Sequence, residues 1–166
     1  MKRIRIILSF ILLPLSILYG IIIFLRNKFY DWGVFTSHKF NMPLVSVGNI
    51  TLGGTGKTPH VEYLAELLKQ EFSVATLSRG YKRKTRGFRL AGENSTAREV
   101  GDEPRQIQQK YPDVTVAVDG NRVRGIKKLR EQQPGLDLVL LDDAYQHRKV
   151  DVNLSILLID YNRPIS

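Results

Sequence analysis

At 166 residues the chain is long enough for one domain with a real core plus an appendage. It contains no cysteine, which excludes a disulfide scaffold and a thiolate zinc site and permits a reducing compartment. Its 25 Lys and Arg against 16 Asp and Glu give a net charge of +9, a balance that suggests nucleic acid until the placement of the charges is considered.

The N-terminal run, residues 6–25, carries no charge and is almost all apolar, with Lys2, Arg3 and Arg5 before it and Arg26 and Lys28 after it. A run of about 20 such residues can span a bilayer. A cleaved signal peptide fits less well, because no small-x-small site follows and a nucleotide site downstream would be exported away from its ligand. Pro14, Ser9, Ser16 and Gly20 keep a second form open, a helix lying in the interface or entering one leaflet. Cations flank both ends, so their distribution sets no orientation. The predicted organisation is a membrane-associated helix over 1–28, a linker over 29–43 and a nucleotide-binding domain over 44–166. Setting aside the five flanking cations leaves 20 basic against 16 acidic residues, and no nucleic-acid partner is expected.

A short apolar run at 44–47 leads into Thr51-Leu52-Gly53-Gly54-Thr55-Gly56-Lys57-Thr58. In a phosphate-binding loop, successive backbone N–H groups converge on the phosphates, a lysine reaches the β and γ oxygens, and a hydroxyl holds Mg²⁺. Lys57 and Thr58 fit those two tasks, and residues 51–58 form the predicted ATP-binding set. Thr51 stands where the usual spacing has its first glycine. A glycine-rich turn that binds nothing is the alternative, although a turn alone does not require Gly-Lys-Thr. The spacing predicts a helix over 58–70, since Val61, Leu64, Ala65 and Leu68 make one apolar stripe and Pro59 suits a first turn.

Further strands are predicted at 73–77, 114–118, 136–141 and 154–159, and further helices over 104–110 and 121–132. Strands alternating with helices imply an α/β fold of the P-loop NTPase kind, a mainly parallel sheet flanked by helices. Ligands bind such sheets beyond the carboxyl ends of the strands. The phosphate loop, Ser78-Arg79-Gly80-Tyr81 and Asp142-Asp143 are therefore expected on one rim. Leu138 to Asp143 reads as an apolar strand ending in metal-holding acids, or as an ordinary buried strand whose acids cap a turn. The cluster Arg79, Lys82, Arg83, Lys84, Arg86 and Arg89 around Tyr81 and Phe88 reads as an RNA surface, an anionic-lipid surface or a solvated loop. Asp102, in Gly101-Asp102-Glu103-Pro104, can be a helix cap or a general base.

Gly48-Asn49-Ile50, the loop through Lys57-Thr58-Pro59, Ser78-Arg79-Gly80-Tyr81, Gly101-Asp102-Glu103-Pro104 and Asp142-Asp143-Ala144-Tyr145-Gln146-His147, in that order, closely resemble the tetraacyldisaccharide 4'-kinases, the lipid A 4'-kinases of Gram-negative bacteria. The resemblance runs from the apolar N-terminus to the last residue. It implies transfer of the ATP γ-phosphoryl group to the 4'-hydroxyl of a lipid A disaccharide precursor at the cytoplasmic face of the inner membrane. By the same resemblance Lys57 neutralises phosphate charge, Thr58 with Asp142 or Asp143 holds Mg²⁺, Asp102 takes the hydroxyl proton, and Tyr81 and His147 lie on the substrate side or just behind it.

Two departures accompany it. Ala144 stands where the family usually has glycine, in a turn that can call for a positive φ. Members of that family are also longer by a second domain, bearing a histidine that partners the catalytic aspartate, so the nucleotide site is expected here more firmly than turnover. The competing readings are a membrane-attached ATPase or nucleotide switch and a non-catalytic fragment. A GTP switch is disfavoured because the guanine-reading Asn/Thr-Lys-x-Asp string is absent; the nearest is Arg148-Lys149-Val150-Asp151.

Overall fold

A computed structural model describes residues 2–49, 56–144 and 148–160. The chain divides into two compact units, Met1–Ser37 and His38–Ser166. The first is helix α1 (Lys2–Asp31), which continues beyond the apolar run because residues 26–31 lack a helix breaker and Lys28 in the last turn complements the helix dipole. Its span Leu12–Asp31 is long and apolar enough to cross a membrane, with a mean hydropathy of 1.5. Leu13, Leu15, Tyr19 and Phe24 are all exposed within the unit. Past the helix, Gly33 adopts a positive φ of 73°, and Phe35 packs edge-on against Phe29 and Tyr30 at 5.4 and 5.2 Å between ring centres.

The second unit is an α/β layer. It comprises β1 (Leu44–Asn49), α2 (Lys57–Leu68), β2 (Val74–Ser78), β3 (Arg89–Leu90), α3 (Ala97–Val100), α4 (Asp102–Lys110), β4 (Thr115–Val118), α5 (Arg122–Gln132), β5 (Leu138–Asp142) and β6 (Leu154–Leu158). The sheet order is β3-β4-β2-β5-β1-β6, parallel except for the edge pair β3·β4. Helices cover both faces, which is why the central strands read as continuous apolar runs.

Alternate residues go to opposite sides. Val47, Val74, Val116, Leu138 and Leu140 pack with Val61 and Ala65 of α2 and Ile107 of α4. Leu44, Ala75, Leu77, Ala117, Val139 and Leu141 pack with Ile126 and Leu129 of α5. Each fully buried leucine contributes roughly 2–3 kcal/mol relative to exposure, so both layers are needed to hold the sheet.

The predicted strands and helices all form, with ends shifted by a few residues. Two short elements were not predicted. Strand β3 is two residues long and shows no alternation. Helix α3 is a single turn, although its signal is present, since Thr96 and Glu99 form a capping box with Thr96 N–H donating to Glu99 Oε2 at 2.8 Å.

The sheet order decides the site. β1, which runs into the phosphate loop, lies beside β5, which ends in the acids, with Val47 in register with Asp142. β2 flanks β5 on the other side, so the acids sit between the end of β1 and the segment that begins at Arg79.

Candidate active site

Lys57 is the first residue of α2, entered through Gly56 in the left-handed conformation at φ 76°. Its ammonium donates to Asn49 Oδ1 at 2.9 Å and pairs with Asp143 Oδ1 at 3.1 Å. The side chain thus crosses from the helix start to the ends of β1 and β5 and is held over the rim. Asn49 entered the sequence reading only as part of the Gly48-Asn49-Ile50 motif, with no task for its side chain; nothing in its neighbourhood in the chain marks it as the lysine's partner. Thr58, half-buried, follows on the same helix turn. Thr51, Leu52, Gly53, Gly54, Thr55 and His147 lie outside the described residues.

Asp142 and Asp143 do different things. Asp143 is exposed and adopts a positive φ of 52°, its N–H bonded to Val47 carbonyl at 3.0 Å, and its carboxylate reaches Lys57. The positive φ of this turn therefore falls on Asp143, while Ala144 is buried in the core. An alanine at 144 is accommodated because its methyl group is packed.

Asp142 is buried, and its Oδ1 has no hydrogen-bond partner among the described residues. Burial pushes its carboxyl up to about 6, helped by the Glu103 and Asp143 carboxylates and opposed by Arg122 and Lys57. With Oδ1 free among the described residues and the pKa raised despite Arg122 and Lys57, the site can take a further cation. Among the described residues no three acidic or histidine side chains converge as a complete metal cage. That suits Mg²⁺, which uses one or two carboxylates and takes its remaining ligands from phosphate oxygens and water.

Arg122 stands behind the acids. It is buried and donates to the Asp119 carbonyl at 2.6 Å and the Asp142 carbonyl at 3.0 Å, so it ties the turn after β4 to the end of β5. Burial lowers its affinity for a proton while Asp142 and Asp143 raise it. Sequence reasoning missed Arg122, since an arginine at a helix start normally reads as surface.

Asp102 opens α4, but Gly101 is the N-cap. The Asp102 side chain is exposed, and among the described residues no hydrogen bond or ion pair holds it. Gly101 packs its backbone against Gly80, where an added Cβ would lie 3.2 Å from the Gly80 carbonyl carbon and 3.1 Å from the Tyr81 carbonyl oxygen. The structure therefore brings Asp102 beside the segment after β2. Tyr81 is exposed on that segment.

The sequence profile of the family described as Tetraacyldisaccharide-1-P 4'-kinase, LpxK, matches residues 8–166. The chain belongs to the tetraacyldisaccharide 4'-kinase family. Among its relatives, the tetraacyldisaccharide 4'-kinase of Porphyromonas gingivalis W83 is 57% identical over 154 residues, 90% of this chain and 43% of that protein. The protein of the same name from Bacteroides thetaiotaomicron is 54% identical over 153 residues, 92% of this chain and 40% of its own length. A crystal structure of LpxK from Aquifex aeolicus in complex with ATP superposes with a TM-score of 0.84 at 41% identity, covering 93% of this chain and 50% of that one. The chain thus spans less than half the length of these two relatives.

Proposed function

We propose that this chain carries the ATP-binding and phosphoryl-transfer residues of a lipid A precursor kinase, which moves the γ-phosphoryl group of ATP to the 4'-hydroxyl of a tetraacyldisaccharide 1-phosphate. The observation that carries the reading is the placement of Lys57 against Asp143 beside the buried carboxylate of Asp142, whose Oδ1 has no partner among the described residues. A lysine already held over the rim by Asn49 is positioned to meet the β and γ phosphates without reorganising. Residues 51–56 would supply the N–H cradle.

The Thr58 hydroxyl and the Asp142 carboxylate would hold Mg²⁺, with Asp143 adjoining. When bound, Mg²⁺ neutralises charge on the β and γ oxygens. Asp102, whose carboxylate none of the described residues engages, would accept the proton of the sugar hydroxyl as that oxygen attacks phosphorus. Tyr81, and His147 from the segment after β5, would lie on the acceptor side. Helix α1 and its flanking cations would meet the anionic inner membrane surface, with the site on the cytoplasmic side, where ATP is found.

The test is transfer of label. The purified chain in detergent, with Mg²⁺, γ-labelled ATP and tetraacyldisaccharide 1-phosphate, is compared with Lys57→Ala and Asp102→Asn. Labelled lipid is expected, lost with ATP binding in Lys57→Ala and reduced roughly 100-fold or more with ATP binding kept in Asp102→Asn. ATP hydrolysis without labelled lipid, indifferent to Asp102→Asn, would instead identify a nucleotide switch.

A further inference from the structure

Helices α2 and α4 both begin at the rim of the site, because α2 follows β1, α4 precedes β4, and those strands run the same way in the sheet. Beneath the two helices Val61, Ala65 and Ile107 belong to one apolar layer. Apolar burial is non-directional, so it holds the helices on the sheet without fixing how far either one rolls or slides. The contacts between them are polar, and their centre is Glu62.

Glu62 lies on α2 at 6% exposure, a rare state for a carboxylate. Both of its oxygens are taken by α4: Gln106 Nε2 donates to Oε1 at 2.6 Å, and the Lys110 ammonium donates to Oε2 at 2.7 Å. Glu62 is the main cause that pushes the Lys110 ammonium up, with Tyr111 adding to it. A desolvated carboxylate is tolerated only while its donors stay in place, so rolling or sliding α4 would strand it. The other contacts along the seam are looser. Tyr111 donates to Glu66 Oε2 at 3.1 Å, and Lys69 meets an exposed Asp113 at 3.4 Å, a kind of pair that contributes little.

Helix periodicity carries this clamp to the site. Asp102, Gln106 and Lys110 follow at intervals of four and share one face of α4, and Thr58 and Glu62 have the same relation on α2. One turn, about 6 Å, therefore separates the clamp from Thr58 on one helix and from Asp102 on the other. Among the described residues no hydrogen bond or ion pair holds the Asp102 carboxylate, so the helix that carries it sets its place. A seam that served stability alone has no need of a buried charge, since an apolar side chain of similar volume packs as well or better. A directional clamp does need one.

We propose that Glu62 is a positioning residue: by holding Gln106 and Lys110 it fixes the roll and depth of α4 against α2, and so the separation of Asp102 from Thr58. This rests on the kinase reading above. The group that would accept the sugar's proton and the group that would hold Mg²⁺ are then spaced by one carboxylate that touches neither substrate.

The chain has no cysteine, so Tyr63→Cys with Arg105→Cys takes two nitroxide labels, one on each helix and neither in the clamp. Double electron–electron resonance on the full chain in detergent, with Mg²⁺ and ATP, reads their separation. Glu62→Leu removes both bonds and frees Gln106 and Lys110, both exposed, to turn to water; Glu62→Gln keeps an acceptor for Gln106. The parent is expected to give one narrow distance, Glu62→Leu a broad distribution, and Glu62→Gln an intermediate one. Without labels, and at a temperature where every variant is folded, Glu62→Leu should lose at least about tenfold in kcat for phosphoryl transfer to tetraacyldisaccharide 1-phosphate, while KM for ATP stays within about threefold. Glu62→Gln should recover part of that loss. An unchanged distance in Glu62→Leu, or a broadened one with kcat kept, overturns the proposal and leaves the seam a source of stability only. Loss of ATP affinity in step with the rate would place the effect within α2 and overturn it as well. If the parent hydrolyses ATP without labelling the lipid, the kinase reading falls, and the distance measurement alone decides whether Glu62 sets the spacing.

Discussion

Asp142 carries the clearest conflict in the molecule at the level of a single side chain. Its carboxyl is buried without a partner for Oδ1 and is pushed up to about 6 from 3.8. Between about pH 4 and 6 the folded chain holds a proton that the unfolded chain has released, so stability falls as pH rises through that interval. The full cost, roughly 3 kcal/mol, is present above it. Asp142→Asn keeps the shape and the main-chain carbonyl that Arg122 binds, and removes the charge. The variant is expected to lose this pH dependence and, near pH 7.5, to be more stable than the parent by up to about 3 kcal/mol. Urea melts of both proteins across that range measure it. Mg²⁺ with ATP should raise the melting temperature of the parent more than that of Asp142→Asn, because a cation beside Asp142 relieves the same penalty. That residue could be named from the chain, as an acid after an apolar run; its raised pKa could not, because it comes from burial in the sheet and from the Glu103 carboxylate, which is distant in sequence.

The segment after β2 and the start of α4 meet through a pair of glycines, Gly80 and Gly101. Gly80 has φ 71°, and a Cβ there would lie 2.8 Å from the Val100 carbonyl oxygen and 2.6 Å from Arg83 Cδ. Gly80→Ala combines a disfavoured conformation with a contact to backbone that must move, at a cost of roughly 1–3 kcal/mol. It should also shift the start of α4 and with it Asp102. The expected result is a lower urea midpoint at unchanged slope. Gly92→Ala, where nothing lies within 4 Å of the added carbon, is the control and should stay within about 0.5 kcal/mol. The helices α2, α4 and α5 were legible because each carries an apolar stripe or an opening signal of its own. Strand β3 was not, because two residues pair with β4 only once β4 is in place.

At the scale of the whole chain, α1 leaves exposed the kind of apolar side chain that the α/β unit buries. The exposed Leu15 and Leu18 lie near the middle of the uncharged run. Replacing both with arginine introduces two charges that each cost roughly 2.5–3.5 kcal/mol at a helix centre in a bilayer. The double variant should lose flotation with lipid vesicles while binding ATP as the parent does. Retained flotation would mean that another surface holds the chain to lipid.

What the sequence determined by itself is whatever depends on neighbours in the chain: the phosphate-loop grammar of residues 51–58, the apolar strands, the helical stripes and the uncharged N-terminal run. The motif order, which the family match bears out, was equally readable there. What only the tertiary structure decided depends on strand order: Lys57 against Asn49 and Asp143, Arg122 behind Asp142, and the basic segment after β2 brought beside the turn after β4. The physical reason is that β1, β5, β2 and β4 are adjacent in the sheet but far apart in sequence. Burial, ion pairing and charge crowding follow that adjacency, and no local pattern encodes it.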